Sequence, residues 1–408
     1  MVTTAYDAIV VGARCAGSPT AMLLARRGYK VLVVDQATFP SDTISTHLIH
    51  PPGIEALNRW GLLEKVVATG CPPIHTYAFD VGPFVISGSP GTEATPVSYA
   101  PRRTVLDKLL VDAAADAGAE VREGFMVEDV VVDGGGRVTG IRGHARGARS
   151  VAEHARVVVG ADGLHSVVAR AVGPAQYNEK PPLEAGYYTY WSGLPMNGRF
   201  EGYDRGDRAW AAWPTNEDLT LVVVSWPIVE FEKNKQDVEG HYLRSLERAP
   251  AFFERLGGAK REERFAGMAV PNFFRKPFGP GWALVGDAGY NKDFITAQGI
   301  SDAFRDAELC AEALDESLSG PGSFDAAMAR YQATRDDHVL PLYEFTCQFA
   351  MIAPSPPEMQ QLLGAVHGNR EAMEQFVKIF AGITSPAEFF SEENAGRIFA
   401  AAQARAQG

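Results

Sequence analysis

The sequence predicts an α/β protein: a nucleotide-binding domain on a parallel sheet with an added β-meander, a second domain on an antiparallel sheet, and a helical C-terminal region. Three observations predict it. From Asp7 to Asp35 an apolar strand, a glycine-bearing turn, a helix and a second strand ending in an acid follow in order. Between Pro174 and Gly267 the composition shifts to short aromatic strands separated by turns. From Ser323 onward helical segments are broken at Pro354-Ser355-Pro356-Pro357 and Ser385-Pro386.

At 408 residues the chain exceeds what one core usually holds, so two or three domains are expected. With 46% hydrophobic and 22% charged residues it has an ordinary globular composition. No stretch approaches the length of a membrane span and the start, Met1 to Asp7, lacks a basic leader, so a cytoplasmic protein is expected. Four scattered cysteines (Cys15, Cys71, Cys310, Cys347) lack ligand spacing; neither a disulfide framework nor a metal site is expected. A net charge of −12 repels nucleic acid and acidic membranes and leaves small molecules as the expected partners.

Asp7-Ala8-Ile9-Val10-Val11 reads as a buried strand, Gly12-Ala13-Arg14-Cys15-Ala16-Gly17 as the turn, and Ala21 to Arg26 as a helix ending at Gly28. Val31 to Val34 is the second strand. Asp35, followed by Gln36, stands 18 residues after Gly17, where a ribose-binding carboxylate belongs. Arg14 occupies the place of the second glycine: either its side chain points away, or its guanidinium supplies a phosphate contact of its own. Ser41 to His50 is a polar loop whose His47 and His50 are candidate catalytic groups or plain hydrogen-bonding residues, and a helix is expected over Ile54 to Leu63.

Residues from Cys71 to Ala100, rich in Pro, Gly, Ser and Thr, read as an excursion with strand pieces such as Phe84-Val85-Ile86. Arg102-Arg103-Thr104 opens a helix with Leu106, Leu109, Leu110 and Ala113 on one face. After Ala119-Glu120-Val121, the runs Val127 to Val132 and Val138 to Ile141 flank a glycine turn and read as a β-meander. Arg156 to Gly160 is a strand ending in Gly160-Ala161-Asp162-Gly163, with a short helix through Arg170. Among the aromatic strands, Tyr187 to Trp191, Ala209 to Trp213 and Leu219 to Trp226 offer a face that lines a pocket or packs a core. Trp282 to Val285 is a strand delivering Gly286 and Asp287, and the chain re-enters a helix at Gly299-Ile300. There a carboxylate and free backbone N–H groups converge.

The ordered triple of Gly12 to Asp35, Gly160 to Gly163 with Ser166 and Arg170, and Gly286-Asp287 with Gln298-Gly299 resembles the flavoprotein monooxygenases of the single-component aromatic hydroxylase type. More broadly it is similar to the flavin family that includes geranylgeranyl reductases and flavin-dependent halogenases. The resemblance spans about residues 5 to 315. It implies a Rossmann-like FAD-binding domain over 1–72, 101–173 and 268–322, a substrate domain over 73–100 and 174–267, and a C-terminal helical region over 323–408.

What the resemblance implies for residues follows its motifs. Gly12, Arg14, Cys15, Ala16, Gly17, Asp35 and Gln36 surround the adenosine and pyrophosphate of FAD; Asp162 and Gly163 serve FAD and the docking of NAD(P)H; Gly286 and Asp287 hold the ribityl and pyrophosphate region; Gln298 and Gly299 open the helix facing the flavin ring; and Arg103 lies against the cofactor. Two positions depart from the family pattern: Tyr290 replaces a histidine and Phe294 a proline. The halogenase signature Trp-x-Trp-x-Ile-Pro is absent, and Trp191 stands four residues before Pro195 where the halogenase and reductase motifs have three.

The function the resemblance implies is oxygenation of a small aromatic or polyketide-like molecule by a flavin C4a-hydroperoxide, with NAD(P)H as electron donor and molecular oxygen as co-substrate. The alternatives are an FAD-dependent reductase of an isoprenoid-type double bond, a flavin-dependent halogenase, and a flavin-bound carrier without turnover. No substrate base is singled out; the candidates are His47, His50, His75, Tyr188 and Tyr190, with Phe294 as the residue shaping the reactive edge.

Overall fold

The computed structural model describes residues 6–320 and 322–407; Met1 to Ala5, part of the start read for a leader, lie outside the described residues, as do Pro321 and Gly408. At the centre is strand Tyr6–Val11, with parallel neighbours Val31–Asp35 on one side and Val151–Gly160 on the other. Glu120–Glu123 continues the sheet beyond the first neighbour and Trp282–Leu284 beyond the second, also in parallel. The apolar runs are continuous because both faces are covered: Ile9, Val10, Leu32, Val33 and Val158 are all fully buried. Helices Gly17–Arg26, Arg103–Asp116 and Gly299–Ser319 pack on one another over one face.

Strand Val151–Gly160 starts earlier than the expected Arg156, because its first half pairs antiparallel with Val138–Ala145 while its second half pairs in parallel with Tyr6–Val11. Phe125–Val132 completes the meander. The helix expected over Ile54 to Leu63 is two helices, Pro51–Arg59 and Leu63–Val67; Gly61, at φ +73°, turns the chain between them.

The second sheet runs in the order Lys260–Arg261, Glu184–Ser192, Thr220–Pro227, Ala209–Pro214, Arg199–Asp204, Thr76–Asp80, Val85–Gly88, with Ala266–Met268 also on Glu184–Ser192. It is antiparallel except where Arg199–Asp204 meets Thr76–Asp80, which comes from the earlier excursion and lies parallel. Its two faces alternate as a pleat requires. Trp191, Trp210, Val224 and Trp226 pack on helices Val238–Leu246 and Pro250–Leu256. Tyr77, Phe79, Tyr188, Tyr190, Phe200 and Trp213 pack against Leu362, Phe376 and Phe380 of the C-terminal helices.

Two features depart from the sequence reading. The region expected to hold aromatic strands up to Gly267 contains helices from Phe231 to Leu256, whose Tyr242, Leu246, Phe252 and Leu256 are buried at helical spacing. A third sheet, Gln176–Lys180, Asn272–Arg275 and Tyr290–Asn291, joins the two larger ones. In the C-terminal region, helix Phe324–Phe349 carries Pro341 in its interior without ending, and Gly368 adds a break between Pro357–Val366 and Arg370–Phe380. All four cysteines are buried and free. Among the described residues no helix is long and apolar enough to cross a membrane, and no cluster of three or more His, Cys, Asp or Glu could hold a metal ion.

Candidate functional site

Three chain ends meet above the parallel strands and force their glycines. After Val11 the chain turns at Gly12 (φ +101°), where a Cβ would stand 2.4 Å from the Ala161 carbonyl oxygen; one on Gly17 would stand 1.8 Å from the Gly12 oxygen. A Cβ on Gly286 (φ +57°) would stand 2.8 Å from the Ala16 side chain. Between these turns opens a cavity of about 810 Å³, walled by Gly12, Arg14 to Ala16, Asp35 to Ala37, Thr43 to Thr46, Phe125 to Val127, Ala161 to His165, Gly267 to Val270 and Gly286-Asp287, with Tyr290 to Phe294, Ala297, Gly299, Ile300, Asp302 and Ala303 completing it. It lies at the C-terminal ends of the strands, where open α/β sheets take ligands.

At one end, the Asp35 carboxylate accepts the Ala13 N–H through Oδ2 and the Ala37 N–H through Oδ1, each at 2.8 Å. The acid is thereby fixed at the strand end with its remaining lone pairs free for a hydroxyl. Asp287, at the other end, is exposed to the cavity though protein surrounds it; that enclosure pushes its carboxyl up to about 6, against the pull of the Arg103 guanidinium. Arg103 is buried and donates from Nε to Asp107 Oδ1 at 2.9 Å. Asp162 is on the wall and also caps the next short helix, accepting the Ser166 hydroxyl at 2.5 Å and the Val167 N–H at 2.6 Å.

Arg14 is on the cavity wall and is also tied to the protein. Its guanidinium turns to the fully buried Asp107 at 2.5 Å and to the Ser41 carbonyl at 3.2 Å, tying the polar loop down beside the cavity. Arg14→Ala is therefore expected to cost about 1–3 kcal/mol of stability, the scale of a hydrogen bond to a charged group, and to leave the salt dependence of cofactor binding nearly unchanged. Melting curves together with ligand titrations at two salt concentrations check this. A flattened salt dependence would place the guanidinium on a phosphate.

The catalytic candidates are drawn away from the cavity. His47 (φ +61°) is fully buried behind the loop, its Nε2 hydrogen-bonded to the Tyr190 hydroxyl, and burial lowers its pKa to about 3. His50 bonds the Tyr77 hydroxyl at 2.8 Å and the Thr296 carbonyl at 3.0 Å; burial lowers it to about 4. The Tyr188 hydroxyl accepts the Ser45 N–H at 3.3 Å. None of these four is on the cavity wall, and His75 is exposed at the start of the second sheet. The aromatic sheet face is packed core. Gln298 is likewise off the wall, donating from Nε2 to the Phe380 carbonyl at 2.7 Å, while Ala297, Gly299 and Ile300 on either side of it line the cavity. Gly17 lies beneath the turn and supports it. Phe294 does reach the wall, its ring resting where a Cβ on Gly186 would be 2.6 Å away.

What the sequence reading missed is charge. Lys292 is buried and gives its ammonium to Asp302 and, at 2.6 Å, to the Tyr290 hydroxyl; Arg305 donates to Asp302 at 2.7 Å and to Asp306 at 2.8 Å. Lys292 and Asp302 both line the cavity. Burial pulls Lys292 down while Asp302, held by two cations, stays low at about 2; the pair keeps its charges because both cations answer to that one carboxylate. The available signal was Asp302 and Asp306, four apart on the side of the helix opposite Ile300 and Phe304, a pair of acids on a helix that is buried all round.

Residues 5–346 match the model of a family described as an FAD binding domain. Over 94% of its length the chain is similar, at 22% identity, to the 1H-pyrrole-2-carbonyl peptidyl-carrier protein chlorinase of Pseudomonas fluorescens, covering 95% of that protein. It is 28% identical to the menaquinone reductase of Mycolicibacterium smegmatis over 76% of each chain. Among solved structures it is similar to PqsL of Pseudomonas aeruginosa, a probable FAD-dependent monooxygenase, here with 2-aminobenzoylacetate bound: TM-score 0.70 at 25% identity, covering 93% of this chain and 99% of that one. The cavity suits the group that this family binds, for its two glycine turns leave room only for backbone and its acids stand at opposite ends. This chain belongs to the FAD binding domain family and is a flavoprotein of the FAD-dependent oxidoreductases.

Proposed function

We propose that the protein is an FAD-dependent monooxygenase that oxygenates a small aromatic or polyketide-like molecule, with NAD(P)H as electron donor. The observation that carries this reading is the cavity itself. It runs unbroken from Asp35 past Asp287 to Phe294, Thr43 to Thr46 and Gly267 to Val270, so a space beside the cofactor's far end is bounded by apolar and hydroxyl-bearing residues. The likeness to a protein that binds 2-aminobenzoylacetate supports an aromatic occupant. In this reading the cofactor and substrate units divide as 1–72, 101–173 and 268–322 against 73–100 and 174–267; of the region 323–408, helix Phe324–Phe349 begins against the first unit through Ala327, Met328 and Tyr331, and the later helices pack on the second through Leu362, Phe376 and Phe380, while the three-stranded sheet straddles the boundary.

Bound FAD would supply electron transfer and the activation of oxygen. Asp35 would hold the adenosine ribose, the turn from Gly12 and the N-terminus of helix Gly17–Arg26 the pyrophosphate, and Gly286-Asp287 the ribityl chain. Helix Gly299–Ser319 starts at the wall, and its N-terminal N–H groups and dipole would favour negative charge on a bound flavin. Arg103, anchored by Asp107, keeps positive charge beside Asp287. Phe294 and the Thr43 to Thr46 loop restrict water on the substrate side.

The likeness to a menaquinone reductase favours one other reading, an FAD-dependent reductase, with an isoprenoid-type double bond as the candidate substrate group. Oxygen consumption with NADH or NADPH, measured against a panel of phenols and quinones, separates the two: the monooxygenase consumes one oxygen per oxygenated product and the reductase none. Phe294→Pro removes the ring from Gly186 and stiffens the turn. It is expected to raise the share of reducing equivalents released as hydrogen peroxide while FAD affinity changes little. A large drop in melting temperature with coupling unchanged would assign Phe294 to packing alone.

A further inference from the structure

Where the three sheets meet lie two carboxyl groups that the reading above does not use. Glu184 opens strand Glu184–Ser192 and is fully buried; Asp293 precedes Phe294 in the cavity turn and is 1% exposed. Neither oxygen of Glu184 has a hydrogen-bond partner, and nor has Asp293 Oδ2, while Asp293 Oδ1 accepts the Ile295 N–H at 3.0 Å. Phe294, the residue after Asp293, lays its ring against Gly186, two residues from Glu184, so the two carboxyls are neighbours and each acts on the other's charge. The other groups around them are the Ser225 hydroxyl of strand Thr220–Pro227, the Cys347 thiol of helix Phe324–Phe349, and Asn272, whose Oδ1 accepts the Asp293 N–H at 2.7 Å. The neighbouring cation, Lys292, is committed to Asp302 and Tyr290.

Three buried acceptor oxygens with only the Ser225 hydroxyl beside them as a donor cannot be two anions at rest, since each would lose its hydration and repel the other. One proton removes both costs: it neutralises one acid and hands the other a hydrogen bond. We propose that Glu184 and Asp293 share a single proton, and that the resulting O–H···O bond clamps the turn carrying Phe294 to the second sheet, so that Glu184 is a positioning residue for the cavity wall. The Phe294 ring against Gly186, two residues along the same strand, is the second contact of the clamp. Burial and the facing Asp293 raise Glu184 well above the usual range, and burial brings Asp293 to about 6. When the pair loses its proton, two anions face each other and the turn is pushed off the sheet.

Three measurements test this, two of them on the apoprotein and so independent of the FAD reading. Infrared difference spectra at neutral pH are expected to show a carboxylic acid C=O stretch in the parent that is missing in Glu184→Gln. Because the folded pKa of Glu184 is raised, its contribution to stability is full below the unfolded value of about 4.3 and is lost as pH rises towards the folded one. The melting-temperature gap between Glu184→Gln and the parent should therefore widen with rising pH and then level off. Third, FAD affinity of the parent should fall several-fold between about pH 6 and pH 9, stay level in Glu184→Gln, whose amide still donates to Asp293, and be weak throughout in Glu184→Ala. An unchanged acid band, or a gap flat with pH, overturns the shared proton. A band lost as expected, with a parent affinity that ignores pH, overturns the clamp. Stabilisation by sodium or magnesium ions with no acid band means a cation bridges the carboxylates, and the proposal fails. Failure to bind FAD at any pH defeats the cofactor reading instead and leaves the two apoprotein results to stand.

Discussion

Asp302→Ala is expected to remove about 3–5 kcal/mol of stability, the cost of leaving a buried charge without its partner. Its side chain is 9% exposed and holds Lys292 and Arg305 together, with the Tyr290 hydroxyl at 3.4 Å. Arg305 keeps Asp306, but Lys292 keeps only the Tyr290 hydroxyl and must shed its proton or move into the cavity. Burial raises the Asp302 carboxyl, yet Lys292 and Arg305 outweigh it and hold it at about 2. A depressed folded pKa gives stability that is present above the unfolded value of about 3.9 and is lost as pH falls towards the folded one. The gap between parent and variant should accordingly be full at neutral pH and shrink on acidification below about pH 4. Guanidinium denaturation at neutral and acid pH measures it. A loss under about 1 kcal/mol at neutral pH would mean that water already screens the cluster through the cavity.

Asp35→Ala should weaken FAD binding by about 1–3 kcal/mol, or about 5- to 150-fold, the scale of a charge-assisted hydrogen bond lost from an enclosed site. The carboxylate also anchors the Ala13 and Ala37 N–H groups, so the variant loosens both the glycine turn and the loop after the strand. Asp35→Asn keeps an acceptor and should fall between parent and alanine. Titration by quenching of flavin fluorescence reads all three proteins. If the parent binds NAD tightly and FAD not at all, the assignment of this end of the cavity is wrong.

The elements around the cofactor cavity were legible because each is written locally. Val31 to Val34 is apolar throughout, as a strand covered on both faces must be, and Asp35, the last residue of the strand, is the first that is not fully buried. Gly12, Gly17 and Gly286 stand where another backbone comes within the space of a Cβ, and no other residue type fits. The aromatic strands were legible as strands, but their role was not. Whether Tyr188 and Tyr190 face a cavity or a core depends on what docks there, and the docking groups, Phe376 and Phe380, are far along the chain. The helices around Tyr242 and Phe252 were hidden by an aromatic content that suits strands and helices alike.

By itself the sequence determined the fold class and the strand–turn–helix units, and it picked out two acids, Asp35 and Asp287, that stand on the cavity wall, because chain sterics and burial periodicity act over a few neighbouring residues. Only the tertiary structure decided where the charges go. Arg14 turned to Asp107 across 93 positions of sequence, Lys292 to an acid on the next helix, and Glu184 to Asp293 across the seam of two sheets. In a buried setting a charge takes whichever partner lowers its desolvation cost, and that partner exists only once distant segments have packed.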